Sequence, residues 1–207
     1  NCAFTNNTAG DQGGGIIVES ASIITSCTFT ANSADTGGGI YNRSSAQITD
    51  CTFTDNSAGT GGGIENGNSS SPIITNSRLV GNSDNDGGGI ASFDSRATLN
   101  DCSFIGNSAI TSGGGMYISE STSALGPVNV TNCSFVGNVA ELGAGIYVVS
   151  DASYIYVHFI NCSIISNSAS RLAGGIYSQA QSTYAGVSLN NCIIWGNVAT
   201  FFPQADA

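Results

Sequence analysis

The seven cysteines are the residues of this chain with the widest chemical capacity, because thiols can form disulfides or bind metals. They all occupy one position of a repeated phrase, namely Cys2, Cys27, Cys51, Cys102, Cys133, Cys162 and Cys192. No Cys-x-x-Cys pair and no nearby cluster of cysteine and histidine is present, which argues against a metal site. Ser77 replaces the cysteine of one repeat, so complete pairing of neighbours is impossible. We expect reduced thiols that fill a core, with disulfides as the alternative.

Carboxylates and the single histidine are the next candidates for catalysis or metal binding. Asp84 and Asp86 lie two residues apart, and paired carboxylates can bind calcium or act as acid and base. His158 is followed by an apolar residue that is expected to point inward, so His158 is expected to face solvent. We therefore expect the acids to be solvated turn residues, with weak calcium binding as the alternative, and His158 to be a surface histidine. The resulting prediction is that the chain has no catalytic, cofactor or metal site.

Two further sets of side chains are candidates for contact with carbohydrate. Tyr117, Tyr147 and Tyr177 occupy the same position of consecutive repeats, which predicts an outward column able to bind a glycan or a partner. Six sequons permit N-glycosylation in a host that performs it, at Asn6, Asn42, Asn68, Asn129, Asn132 and Asn161.

The elements that position these residues come from a repeat. The phrase Cys-x-Phe-x-x-Asn, with variants, is followed by a glycine tract and an apolar residue, usually isoleucine, and its asparagines lie 24 to 31 residues apart. Such a period is typical of solenoids, whose repeats bury their apolar faces only against neighbouring repeats. Residues 1–207 are therefore predicted to form a single domain, with coils that start near residues 2, 27, 51, 77, 102, 133, 162 and 192.

Within each repeat, apolar residues alternate with polar ones in three short bursts, which predicts three strands per coil. Cys27 and Phe29 should point inward, and the isoleucine after each glycine tract should do the same. The residue that follows this isoleucine, such as Tyr41, should point outward. The asparagine that ends the phrase should form a corner, because asparagine tolerates a left-handed backbone and stacked amides can bond from coil to coil. The prediction is an all-β parallel β-helix of about seven full coils plus one strand.

The amino-acid composition limits the partners and the location that we expect for the chain. The chain has no lysine, and four arginines face fourteen acidic residues, so the net charge of −10 argues against nucleic acid or an anionic membrane as partner. No apolar run approaches the roughly 18 residues that span a bilayer, and no leader is visible. We expect a mature or excised extracellular segment that does not insert into a membrane.

The two halves of the phrase carry a resemblance. Five strict Phe-x-x-Asn motifs and glycine-tract motifs such as Gly38-Gly39-Ile40 and Gly62-Gly63-Ile64 are similar to the polymorphic outer-membrane protein repeats of chlamydial surface autotransporters. The resemblance covers nearly the whole chain. It implies a right-handed parallel β-helix at the cell surface, used for adhesion or as a stalk.

The sequence therefore predicts an extracellular structural or adhesive protein without catalysis. A carbohydrate-binding or polysaccharide-degrading β-helix is the alternative, although the absence of lysine and the single histidine argue against a degrading enzyme. The expected partners are a surface receptor, a glycan or further copies of the chain bound head to tail. The candidate assembly interface consists of Cys2, Phe4, Ile194, Trp195, Phe201 and Phe202.

Overall fold

A computed structural model describes residues 1–67, 70–121, 126–150, 156–180 and 186–200. All 27 strands in this part of the chain pair in parallel, and none of the described residues lies in a helix. The strands stack into four sheets, labelled A to D, in which each strand pairs with its counterparts one repeat away. The chain is therefore a right-handed parallel β-helix of about seven turns, as predicted.

Sheet A is built by the Cys-x-Phe phrase, whose central residue points inward and whose two flanking residues point outward. Phe29, Phe53, Phe104 and Phe135 are fully buried at this central position. The strands of sheet A, in spatial order, are β1 (Ala3–Thr5), β4 (Thr28–Thr30), β7 (Thr52–Thr54), β10 (Arg78–Val80), β14 (Ser103–Ile105), β18 (Ser134–Val136), β22 (Ser163–Ile165) and β26 (Ile193–Trp195).

Sheets C and D form the other two predicted rows. Sheet C follows the glycine tracts and contains β2 (Ile16–Val18), β5 (Ile40–Asn42), β8 (Ile64–Asn66), β12 (Ile90–Phe93), β16 (Met116–Glu120), β20 (Ile146–Ser150) and β24 (Ile176–Ala180). Sheet D precedes each cysteine and contains β3 (Ile23–Thr25), β6 (Gln47–Thr49), β9 (Ile73–Thr75), β13 (Thr98–Asn100), β17 (Val128–Thr131), β21 (Tyr156–Ile160) and β25 (Gly186–Asn190). The inward residues of sheets A, C and D form one continuous core.

Sheet B is a fourth row that the sequence analysis did not predict. It lies between the asparagine corner and the glycine tract and contains β11 (Ser83–Asp86), β15 (Ser108–Ser112), β19 (Val139–Leu142), β23 (Ser168–Leu172) and β27 (Val198–Ala199). In the earlier coils it is reduced to isolated bridges, such as Ser33 to Ser57. Small residues dominate this row, so its pattern lacks the alternation of large apolar residues that reveals a strand in sequence.

The backbone turns left-handed at two corners of each coil. Before each cysteine the predicted corner is present, with φ near 54° at Asp50, Asn132 and Asn161. The second corner follows the Cys-x-Phe strand, and the sequence analysis assigned it to the asparagine. The left-handed residue is instead the one before the asparagine, as at Ala31, Asp55 and Gly81. The asparagine itself points inward and is fully buried from Asn32 to Asn167.

The buried asparagines form a ladder along the helix axis. In a typical step the Oδ1 atom of Asn82 accepts from the backbone nitrogen of Asn56 at 3.0 Å and from its Nδ2 atom at 2.9 Å. The Nδ2 atom of Asn82 donates to the carbonyl oxygen of Phe53 at 3.1 Å and to the Oδ1 atom of Asn107 at 2.9 Å. Every coil therefore bonds to both neighbours through one side chain, which confirms the predicted amide ladder.

The glycine tracts fold over the outer surface of sheet C. A Cβ atom on Gly37, whose φ is +63°, would lie 2.7 Å from the Cα atom of Tyr41, and one on Gly38 would lie 2.5 Å from the carbonyl oxygen of Ser57. Because of this cover, the residues predicted to be outward on sheet C are largely buried, including Tyr41, Glu65 and Ala91. The expectation that these positions face solvent was therefore wrong.

Candidate functional site

The outer face of sheet A is the most regular surface of the molecule. It consists of two columns of outward side chains, given by the first and third residues of the eight strands. The first column is Ala3, Thr28, Thr52, Arg78, Ser103, Ser134, Ser163 and Ile193, and the second is Thr5, Thr30, Thr54, Val80, Ile105, Val136, Ile165 and Trp195. Arg78 is the single charged residue among the sixteen, although the chain carries a net charge of −10.

The strands of sheet A pair in unbroken register, and the inward rings of neighbouring strands are close to parallel. The ring planes of Phe4 and Phe29 differ by 3°, those of Phe29 and Phe53 by 5°, and those of Phe104 and Phe135 by 6°. Neighbouring strands of an ordinary sheet rotate by roughly 20 to 25°. The near-parallel rings, stacked with centroids 4.5 to 4.8 Å apart, indicate little twist between these strands, from which we infer that the outer face is close to flat.

The outward side chains of this face are also stiff. Ten of the sixteen are threonine, valine or isoleucine, whose branched Cβ atoms restrict rotation about χ1. A surface of such side chains loses little conformational entropy when it binds. The sequence analysis identified the repeat but not this charge-poor face, which emerges when the first and third residues of the Cys-x-Phe strands are compared across coils.

The tyrosine column lies on sheet C, as predicted, but its rings face one another. The ring centroids of Tyr117 and Tyr147 are 5.4 Å apart with planes 2° from parallel, and those of Tyr147 and Tyr177 are 5.3 Å apart. Tyr147 is only 8% exposed, against the prediction of an outward position, because it lies between its two neighbours. Sugar rings stack on open aromatic faces, whereas this column directs its ring faces along the helix axis.

The sequons differ in accessibility. Asn6, Asn132 and Asn161 are exposed, and Asn129 is half-buried. Asn42 is fully buried, and its Nδ2 atom donates to the Oδ1 atom of Asn66 at 3.0 Å, so the folded protein cannot accept a glycan there. This sequon was wrong as a surface candidate. Asn68 lies outside the described residues.

The candidate assembly residues lie at opposite ends of sheet A, as the repeat order requires. Cys2 is exposed and Phe4 is half-buried on β1, whereas Ile194 is 48% exposed and Trp195 is 74% exposed on β26. Phe201 and Phe202 lie outside the described residues. A depression of about 470 Å³ near β1 is lined by Cys2, Phe4 and neighbouring apolar residues such as Ile23.

The cysteine row forms the predicted inward ladder. The five cysteines from Cys27 to Cys162 are buried, Cys192 is half-buried, and all seven carry free thiols. Each buried thiol lies against main-chain carbonyl oxygens, as Cys51 does with those of Thr49 at 3.3 Å and Ile24 at 3.6 Å. Burial raises the pKa of the thiols of Cys51 and Cys162, which keeps them protonated and poorly nucleophilic.

Three carboxylates are buried, namely Glu65, Asp84 and Glu120, and the burial of Asp84 contradicts the expectation of a solvated turn acid. Burial raises the pKa of Asp84 to about 8 and that of Glu120 to about 7, and it also raises the pKa of Glu65. Asp84 and Glu120 each retain one buried oxygen without a hydrogen-bond partner in the described structure. Asp84 occupies a repeat position that is otherwise alanine, so an alignment of the repeats against one another would have singled it out.

The remaining candidates for chemistry are dispersed. His158 is half-buried, and its Nδ1 atom lies 2.5 Å from the Ser188 hydroxyl. Across the described ranges, no three residues of the histidine, cysteine, aspartate and glutamate types come together in a way that would hold a metal ion. Nor does this part of the chain contain a helix with the length and apolarity of a membrane span.

Comparison with known proteins defines the class. Residues 1–164 match a family model described as a right handed beta helix region. The match covers more than half of the chain, so the chain belongs to this family. No curated protein and no solved structure gave a significant match.

Proposed function

We propose that this β-helix is an extracellular structural or adhesive protein that makes contact through the outer face of sheet A. The observation that carries the proposal is the combination of flatness, stiffness and low charge on that face. A flat, rigid array of hydroxyl and methyl groups suits a neutral, regular surface such as an ordered glycan, because little order is lost on binding and only one charged group, Arg78, lies on the face. The resemblance of the Phe-x-x-Asn and Gly-Gly-x-Ile motifs to chlamydial surface repeats supports a place at the cell surface.

A pair of lysine variants tests this proposal. Ile105→Lys/Val136→Lys places two charges on adjacent strands of the outer face of sheet A, whereas the control Thr98→Lys/Asn129→Lys places the same charges outward on adjacent strands of sheet D. Binding is measured on a glycan array, on insoluble neutral polysaccharides and on cultured cells. We expect binding by the unmodified chain and the control, and a loss of about tenfold or more in the face variant.

Three kinds of result would contradict the proposal. Equal binding by the two lysine variants, or binding by none of the proteins, would overturn the contact through sheet A. Turnover of a polysaccharide, detected as new reducing ends or unsaturated products, would replace the adhesive role by the polysaccharide-degrading alternative. Loss of glycan binding on replacing Tyr117, Tyr147 and Tyr177 by alanine would move the contact to sheet C.

A second candidate is head-to-tail self-association, favoured by the open edges of β1 and β26. In the described structure these are the outermost strands of sheet A, and an outermost strand carries backbone groups that can pair with another chain. Light scattering of the purified chain tests it. Particles that grow with concentration, and shrink in a variant with Phe201 and Phe202 replaced by serine, support self-association. A monomer that is unchanged by these substitutions refutes it.

A further inference from the structure

Sheet B contains a column of alanines that packs against the glycine tracts. In each coil we call the segment from the residue after the buried asparagine to the glycine tract the arc. The column is formed by the second residue of each arc, namely Ala34, Ala58, Ala109, Ala140 and Ala169. Three of them form a small buried cluster with Ala144, which belongs to a glycine tract. This small cluster is separate from the main core, and each of these coils contributes one methyl group to the column.

Asp84 interrupts this column. It pairs in register with Ala109 of the next coil, and it is 7% exposed. Its Oδ2 atom accepts from the backbone nitrogen of Gly62 at 3.0 Å, and its Oδ1 atom is buried without a hydrogen-bond partner in the described structure. A carboxyl group therefore occupies a site that the other coils fill with a methyl group, and only one of its two oxygens is satisfied.

The charged groups around Asp84 do not compensate an ionised carboxylate. Asp86 of the same strand and Glu65 of β8 both disfavour its charge. Glu65 accepts from the Thr60 hydroxyl at 2.5 Å, and the cation that acts on Glu65 is Arg43. The hydrogen bonds from Gly62 and Gly61 favour the ionised form, but burial outweighs them. Ionisation thus places a net charge in an alanine-lined space, which is costly unless the segment moves.

We propose that Asp84 is a charge-operated latch on the arc of residues 83–89. In its neutral form the carboxyl group keeps this arc packed over Gly62. In its ionised form the group releases the arc toward solvent, while the coils on either side remain closed by the asparagine ladder. A surface depression of about 280 Å³ is lined by the arc itself, at Ser83, Asp84 and Asn85, and by Ala58 and Ala109 of the alanine column, so the arc borders open space into which it can move.

The pH range of the latch follows from its carboxyl group. Because the pKa of Asp84 is raised to about 8, the neutral form dominates at pH 6 and the ionised form dominates at pH 9. The latch is therefore closed in neutral and acidic surroundings and opens in alkaline ones. Arcs that carry alanine at this position have no such dependence, so the opening is confined to one coil in the middle of the stack.

Hydrogen exchange at pH 6 and pH 9, corrected for intrinsic exchange rates, tests the latch on the whole chain. Amides of residues 83–89 should lose about tenfold protection at pH 9, whereas those of the matched arc at residues 108–115 should not change. Asp84→Ala restores the alanine column, and Asp84→Asn keeps the acceptor for Gly62. Both variants should abolish the loss at pH 9.

A variant that leaves Asp84 in place tests the latch even if substitutions at Asp84 alter folding. Ala109→Asp transplants the carboxyl group to the next coil and should create a second pH-sensitive arc at residues 108–115. An equal loss of protection in both arcs of the unmodified chain would overturn the latch, as would a loss at residues 83–89 that persists in Asp84→Asn. Full protection of residues 108–115 at pH 9 in the Ala109→Asp variant would also contradict it.

Discussion

The asparagine ladder gives the sharpest test of how the coils are held together. Asn82 lies in the middle of the ladder and makes four side-chain hydrogen bonds with Asn56, Phe53 and Asn107. Substitution by alanine removes all four. The backbone N–H of Asn56 and one hydrogen of its side-chain amide then lose their acceptor inside a fully buried environment.

The magnitude follows from these two buried donors. Each unsatisfied buried group costs about 1–3 kcal/mol, and the small cavity left by the amide adds to this. We therefore expect Asn82→Ala to lower the free energy of unfolding by about 3–5 kcal/mol. The control is Asn85→Ala in the same coil, where the side chain is exposed and the backbone bonds to Gly59 and Thr111 are unaffected. The control should cost less than about 0.5 kcal/mol.

Urea titration followed by far-ultraviolet circular dichroism and by the fluorescence of Trp195 measures both variants. The difference in free energy is taken from the midpoint shift at a common slope. A cost for Asn82→Ala below about 1.5 kcal/mol, or one equal to that of Asn85→Ala, would refute the argument that the amide ladder holds neighbouring coils together.

Three further predictions concern the core, a buried acid and the thiols. Phe53→Ala should lower the free energy of unfolding by about 3–5 kcal/mol in the same urea assay. Tyr41→Ala should lower it by about 1–3 kcal/mol, because Tyr41 is covered and an exposed residue would cost less than about 1 kcal/mol. Equal costs for the two variants would contradict the assignment of Phe53 to the inner and Tyr41 to the outer side of the coil. The folded protein raises the pKa of Glu120 from 4.5 to about 7, so its neutral form stabilises the fold below pH 4.5 and this stability is lost as pH rises to 7. Glu120→Gln should reduce the change in the free energy of unfolding between pH 4.5 and pH 7 by about 2 kcal/mol. The same pH profile of unfolding in the variant and the unmodified chain would contradict this role of Glu120. All seven thiols should react with a thiol reagent in denaturant without prior reduction, and fewer would indicate disulfides.

Much of the fold could be predicted because the repeat places the same side chains at the same points of every coil. The inward set of Phe53, Ile64 and Ile48 was predicted from alternation alone, since period two identifies one face of a strand. Sheet B was not predicted, because its inward residue is alanine in nearly every coil and its outward residues follow no regular apolar pattern. Small residues carry no pattern of hydrophobicity, so only the backbone pairing reveals the row.

The candidate sites depended far more on the tertiary structure. The burial of Tyr41 and Glu65 results from a glycine turn that folds back over sheet C, which is a contact between backbone segments and leaves no mark on the residues it covers. The flatness of sheet A depends on the mutual stacking of Phe4, Phe29 and Phe53, and this is a property of the assembled rows.

The sequence by itself determined the class of fold, the number of coils and the inward positions of cysteine and phenylalanine. These follow from local periodicity, because each coil repeats the same short-range choices and buries them against its neighbours. The tertiary structure alone decided which outward positions reach solvent, as at Tyr41, and which buried acids lack a partner, as at Asp84. Side-chain pairing is set by the neighbouring coil, about 25 to 30 residues away in the chain, and exposure also depends on how the glycine turn of each coil folds over sheet C.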